Sequence, residues 1–233
     1  RQMCIRDSLN SNGEFLHPEE VQKVIKETKR TQSNKEKQGN LSSYANALDD
    51  HINLILSQNF INKNNIASKS IAVAVDGINS VGGVAIPKFL ESLGIKKIKK
   101  INCNPDGNFN HNPEPLPENI TDLCSEVKRG KYQLGIVVDP DADRLVLVDE
   151  RGEPFGEEYT LVAAAEYLLS KNHGASTCSN LSSTLALKNI TEKYGGKYFS
   201  SAVGEINVVQ VMKEKKCLIG GEGNGGVIYP MTH

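Results

Sequence analysis

The feature that most constrains this chain is an alternation. Short apolar runs end abruptly in acidic or glycine-rich loops, and most are followed by a stretch of helical period. Ile71-Ala-Val-Ala-Val75 stops at Asp76-Gly77, and Leu134-Gly-Ile-Val-Val138 runs straight into Asp139. Leu218-Ile219 opens onto a loop of glycines. Further strands are predicted at 97–102, 145–149, 175–180, 197–201 and 217–219, with helices at 81–93, 117–128, 157–171, 184–194 and 207–215. Alternation of this kind builds βαβ units, so the expected class is α/β, as consecutive three-layer modules with mixed, mainly parallel sheets. In such sheets the loops leaving strand C-termini are where ligands sit.

The N-terminal forty residues do not follow this pattern. Pro18-Glu19-Glu20 reads as a helix start with Val21, Val24 and Ile25 on one face, and 31–40 as a polar linker. A helix over 44–59 then carries Ala47, Leu48, Ile52, Ile55 and Leu56 at three- and four-residue steps. The expected organisation is a remnant over 1–40, a first module over 41–154 and a second over 155–233.

Composition excludes several function classes. A net charge of −1, no Trp and only 6% aromatic residues give neither the basic field nor the stacking platforms of a nucleic-acid binder. Lys96, Lys97, Lys99 and Lys100 form one short patch, expected as the solvated rim of a strand. No run reaches the ~18 apolar residues of a membrane helix, and no signal pattern opens the chain. Cys4, Cys103, Cys124, Cys178 and Cys217 are dispersed and never in a Cys-x-x-Cys pair, as expected of reduced thiols in a cytoplasmic protein. His111 and His173 stand alone and read as surface residues. Oligomeric state is not legible.

The strongest chemical signal is Asp139-Pro140-Asp141-Ala142-Asp143-Arg144. Three carboxylates at two-residue spacing repel one another unless a cation lies among them, and hard oxygen donors suit Mg²⁺ or Ca²⁺. Glu150 falls where an EF-hand has its twelfth-position ligand. Arg144, however, occupies the position where that loop needs Gly, and strands rather than helices flank it. A plain acidic turn is the other reading, and it leaves Arg144 beside three acids unexplained. The second signal, Gly220-Gly221-Glu222-Gly223-Asn224-Gly225-Gly226, allows close approach to its backbone, with Glu222 and Asn224 as a polar set suited to sugar hydroxyls. A simple glycine-rich turn fits it as well. It is neither a P-loop nor a dinucleotide turn. A third loop, 202–207, carries Glu205, which faces the same cleft or caps the following helix. Asn104-Pro105-Asp106-Gly107 and Pro113-Glu-Pro-Leu-Pro117 read as turn chemistry without a role in a reaction.

Together these motifs resemble the α-D-phosphohexomutases, the family of phosphoglucosamine mutase, phosphomannomutase and phosphoglucomutase. Residues 139–144 resemble the family's metal loop, Gly-Glu-Gly-Asn-Gly-Gly its sugar loop, Asn104 to Phe109 with the later Pro-Glu-Pro a second-domain segment, and Val203-Gly204-Glu205 its third-domain substrate loop. The resemblance runs from about Asn10 to His233. It implies an isomerase that moves a phosphoryl group between the C1 and C6 oxygens of a hexose phosphate, through a phosphoserine and a bisphosphate. It further implies Mg²⁺ on Asp139, Asp141 and Asp143, Arg144 at the phosphoryl group, and Glu222, Gly223, Asn224 and Glu205 at the sugar. The loop form is most similar to that of phosphoglucosamine mutases.

The family's Thr-Ala-Ser-His-Asn-Pro stretch is absent, and Ser8 has no His-Asn-Pro after it. The chain is therefore expected to be an incomplete part, without the serine loop and the fourth domain, and inactive alone. Two other readings stay open: a metal- and sugar-binding protein without catalysis, and a Mg²⁺-dependent enzyme with an aspartate nucleophile.

Overall fold

The computed structural model describes residues 8–11, 13–28 and 40–232. The chain divides into two compact units, 1–45 and 46–233. In the first, Leu9 and Phe15 pair across a turn closed by the Asn10 N–H on the Glu14 carbonyl at 2.8 Å. Helix α1, Pro18–Thr28, follows. Its start is secured by Glu20, whose Oε2 accepts the His17 N–H at 2.8 Å. Val24 and Ile25, on its expected apolar face, are exposed. Most of the expected linker, and Cys4, lie outside the described residues.

The second unit holds two four-stranded sheets of one design. The first combines β1 (Ala72–Asp76), β2 (Lys97–Ile101), β3 (Leu134–Val138) and β4 (Leu145–Val148) in the order β2-β1-β3-β4. The second combines β5 (Thr177–Asn180), β6 (Tyr198–Ser201), β7 (Ile219–Gly221) and β8 (Val227–Ile228) in the order β6-β5-β7-β8. In each, the first strand is central and parallel to two neighbours, and only the last strand runs antiparallel. The α/β class expected from the sequence is the class found.

The apolar runs are explained by what covers them. Successive side chains of β1 go to opposite faces. Ala74 packs with Val137 against Ile120, Leu123 and Val127, where helix α5 (Thr121–Gly130) covers one face. Val73 and Val75 pack with Ile136 against Leu90 and Leu93, under α4 (Gly82–Ser92) and the residue after it. A strand buried on both faces has no polar side to alternate with. Edge strand β2 is different, and its lysines face outward. Lys97 lies over the Tyr132 ring at 5.3 Å and Lys100 pairs with Glu91 at 3.7 Å. Charged lysines on an edge also discourage pairing with another chain.

In the second sheet the centre is polar. Thr177, Ser179 and Asn180 are buried on β5, and each finds a partner: Thr177 Oγ1 lies 2.6 Å from Thr191 Oγ1, and Ser179 Oγ lies 2.9 Å from Tyr198 Oη. Helices α6 (Glu157–Leu169) and α7 (Ala186–Lys193) cover one face through Leu161, Leu169 and Leu187, which pack with Ile219 of β7. Helix α8 (Glu205–Lys215) covers the other through Val208 and Met212, against Cys178 and Cys217. Burial pushes the Cys178 thiol up to about 12 and that of Cys217 up to about 11, so both are inert thiols at neutral pH.

Several element bounds differ from expectation. The helix expected over 44–59 is α2, Ala47–Leu56, followed by an unanticipated short α3, Lys63–Ser68, whose start Asn62 caps through the Asn65 N–H at 2.9 Å. Residues 117–120 are not helical, because a turn closed by the Asn119 N–H on the Leu116 carbonyl precedes α5. Helix α8 begins two residues early, at Glu205. Strand β7 takes in Gly220 and Gly221, since backbone pairing with β5 and β8 needs no side chain.

Candidate active site

The aspartate loop, 139–144, is the bend between β3 and β4. Asp139 leaves a strand whose last four residues are buried and is itself buried, whereas Asp141 and Asp143 are exposed. Each offers one carboxylate oxygen, and these oxygens lie within 4.8 Å of one another. Donors at ~2.1 Å around Mg²⁺ span up to about 4.2 Å, and those around Ca²⁺ up to about 5 Å. Small turns of the two exposed carboxylates therefore suffice for either ion.

The electrostatics agree with a cation site. Burial pushes the Asp139 carboxyl up to about 7, against the help of the Arg144 N–H, and neighbouring Asp143 and Asp141 raise it further. From the other side, Ser80 Oγ donates to the Pro140 carbonyl at 2.5 Å, tying the loop to the turn that opens α4.

The glycine loop is the corresponding bend of the second sheet, between β7 and β8. The Glu222 N–H donates to the Gly226 carbonyl at 3.0 Å, and the Gly226 N–H donates to Asn224 Oδ1 at 3.0 Å. A cavity of about 270 Å³ lies against it, lined by Glu222, Gly223, Asn224, Asn180, Glu157 and Glu158 among others. Glu222 is held in place: its Oε1 accepts from Asn180 Nδ2 at 2.6 Å and from the Gly204 N–H at 2.9 Å. Asn180 can present its amide nitrogen because its Oδ1 already accepts from Ser182 at 3.1 Å and Ser183 at 2.7 Å. The third loop contributes Val203 to the cavity wall, while Glu205 opens α8, where a carboxylate favours the helix dipole.

The two bends meet. The Leu145 N–H donates to the Gly225 carbonyl at 3.1 Å, and Arg144 pairs with Gly226 in an antiparallel bridge. Asp139, Arg144, Glu222 and Asn224 are thus brought to one region by main-chain pairing between the sheets. Gly225 is needed for this contact. Its φ is +95°, and a Cβ there would sit 2.8 Å from the Leu145 carbonyl oxygen. Gly225→Ala is expected to cost about 1–3 kcal/mol, read as a lower urea midpoint.

Two residues read from the sequence as turn or surface make long-range contacts. Glu114 Oε2 accepts from Arg144 Nη1 at 2.8 Å. His111 is not an isolated surface residue: Nε2 lies 3.2 Å from Oδ2 of the fully buried Asp76, and Nδ1 lies 2.8 Å from the Asn112 carbonyl. Asn102 Nδ2 and the Ile78 N–H also donate to Asp76. That buried carboxylate is therefore satisfied at the end of the strand beside β3, which leads into the aspartate loop.

Comparison with known proteins fits this arrangement. Residues 49–152 match the family model for phosphoglucomutase/phosphomannomutase, alpha/beta/alpha domain II, and residues 156–233 match that for domain III. The chain belongs to the phosphoglucomutase/phosphomannomutase family. Family members resembling it include a probable phosphoglucosamine mutase of Methanopyrus kandleri, 28% identical over 96% of this chain and 49% of the relative. A phosphoglucomutase/phosphomannomutase of Thermococcus kodakarensis is 35% identical over 68% of this chain and 35% of the relative. The chain thus spans half or less of the length of these relatives. A putative phosphomannomutase structure from Thermus thermophilus shares the fold, with TM-score 0.81 at 23% identity, covering 94% of this chain and 49% of that one. Among the described residues no helix is long and apolar enough to cross a membrane.

Proposed function

We propose that this chain is the central part of an enzyme that moves a phosphoryl group between the C1 and C6 oxygens of a hexose phosphate. The favoured sugar is glucosamine phosphate, with mannose or glucose phosphate as the alternative. The observation that carries this reading is the joining of the two bends, Leu145 to Gly225 and Arg144 to Gly226. It sets a carboxylate cluster beside a sugar-sized cavity.

On this reading Asp139, Asp141 and Asp143 hold Mg²⁺, for which an all-oxygen donor set fits. Such an ion supplies positive charge that offsets the charge developing on a transferring phosphoryl group. Arg144 presents N–H donors to the same phosphoryl group. Glu222, kept in position by Asn180 and Gly204, accepts from sugar hydroxyls, and Asn224 and the Gly223 backbone complete that side of the cavity. Glu205 follows Gly204, whose N–H bonds Glu222, and would reach the sugar from the start of α8.

The experiment is calorimetric titration of the chain with glucosamine 6-phosphate and glucose 6-phosphate in Mg²⁺ buffer. Glu222→Gln is expected to weaken binding about tenfold or more, the usual cost of losing a hydrogen bond to a charged group. Equal affinity in a folded variant would remove Glu222 from the sugar site.

A further inference from the structure

The metal loop carries its own competing cation. Arg144 follows Asp143 directly, and its main chain has nowhere to go. Its N–H donates to Asp139 Oδ1 at 3.1 Å, it pairs with Gly226, and the next N–H is held by Gly225. Only the side chain is free to choose. Arg144 Nε lies at the long end of ion-pair range from Asp139 Oδ2 and Asp143 Oδ1, 3.8 Å from each and too far for a hydrogen bond, whereas Nη1 reaches Glu114 Oε2 at 2.8 Å. The one short bond goes to Glu114, whose side chain is more than half exposed.

Glu114 is well placed to do this. It stands between Pro113 and buried Pro115, whose rings restrict the backbone. Its carbonyl accepts from the Leu116 N–H and from Asn119 Nδ2, both at 2.8 Å. The carboxylate is therefore presented from a stiff segment. A guanidinium fork matches carboxylates closely, so an Arg144 released from Glu114 would settle on Asp139 and Asp143, two of the three candidate ligands.

We propose that Glu114 is a positioning residue that holds the Arg144 guanidinium out of the aspartate cluster and so keeps the cluster open to a divalent cation. This rests on the reading of Asp139, Asp141 and Asp143 as a cation site. Glu114 binds no ion itself; it acts through Arg144.

The test is Mg²⁺ titration by calorimetry on the full 233-residue chain, as wild type, E114Q, R144Q and the double variant, with circular dichroism confirming that each is folded. E114Q is expected to bind about fivefold more weakly, the scale of a partly exposed ion pair. In the R144Q background the same substitution should change affinity by less than about twofold, because the competitor is gone. An equal loss in both backgrounds would make Glu114 merely a distant negative charge and overturn the proposal. Unchanged affinity in E114Q would also overturn it, as when Arg144 turns instead to Glu157, which lies in its field. A folded wild-type chain that takes up no Mg²⁺ sinks the cation reading itself and takes the proposal with it.

Discussion

Asp139→Asn is expected to weaken divalent-cation binding by more than about 100-fold, beyond the 10- to 100-fold typical of changes one shell further out. Asp139 is the buried member of the cluster, and the other two carboxylates are exposed. Asparagine keeps the shape and loses the charge, so calorimetry of the variant separates coordination from packing. The wild-type chain adds a pH test. With the Asp139 carboxyl pushed up to about 7 by burial and its acidic neighbours, an entering cation must displace a proton below that pH. Affinity should then fall about tenfold per pH unit as the medium becomes more acidic. The sign for stability is opposite. A folded-state pKa above the unfolded value means that the metal-free chain gains stability from the protonated form. That gain is complete below the ordinary carboxylate range and is lost as pH rises through about 7. Asp139→Asn should therefore flatten the fall in metal-free melting temperature between pH 5 and 8. An unchanged slope would place the titrating group elsewhere.

Gly83→Ala should be the most damaging change outside the loops. Helix α4 begins with Gly82 and Gly83, and its first turn lies directly on the strand ends. A Cβ at Gly83 would come within 2.6 Å of Cys103 Cα and 2.9 Å of its carbonyl carbon, and a Cβ at Gly77 would land on Gly83 itself. These are backbone neighbours, which cannot rotate away. The helix would have to lift, and overpacking of this kind costs about 1–3 kcal/mol, the upper end being expected where the neighbours are backbone. The loss should reach the aspartate loop, because Ser80, in the turn before α4, bonds Pro140. Urea denaturation with Mg²⁺ titration of the variant checks both. A midpoint within about 0.5 kcal/mol of wild type, the range of neutral surface changes, would show that the strand ends have slack.

The sequence disclosed what was local. Asp139, Asp141 and Asp143 declare themselves by spacing, and the α/β class by short runs such as 71–75 and 134–138, which read as buried because both faces of their sheet are covered. What stayed hidden was long-range. Glu114 reaches Arg144 across 30 residues, Asn180 reaches Glu222 across 42, and His111 reaches Asp76 across 35. None has a local signature: Glu114 looks like part of a proline-stiffened linker, and Asn180 like a strand end. The helix expected from Pro117 is present but starts at Thr121, since a local turn at 116–119 competes with its first helical turn. The joining of the two bends is a main-chain contact between glycines and a strand start, and no side-chain pattern encodes it.

The two sheets share one strand order, and the aspartate-bearing and glycine-rich bends are the same bend in each, the turn from third to fourth strand. Because these turns hold each other by peptide groups, the distance between them is a ruler made of main chain. Side-chain exchanges within either turn can alter what is gripped while leaving the ruler alone. An inserted or deleted residue would change its length, and with it the size of molecule that can touch both ends at once.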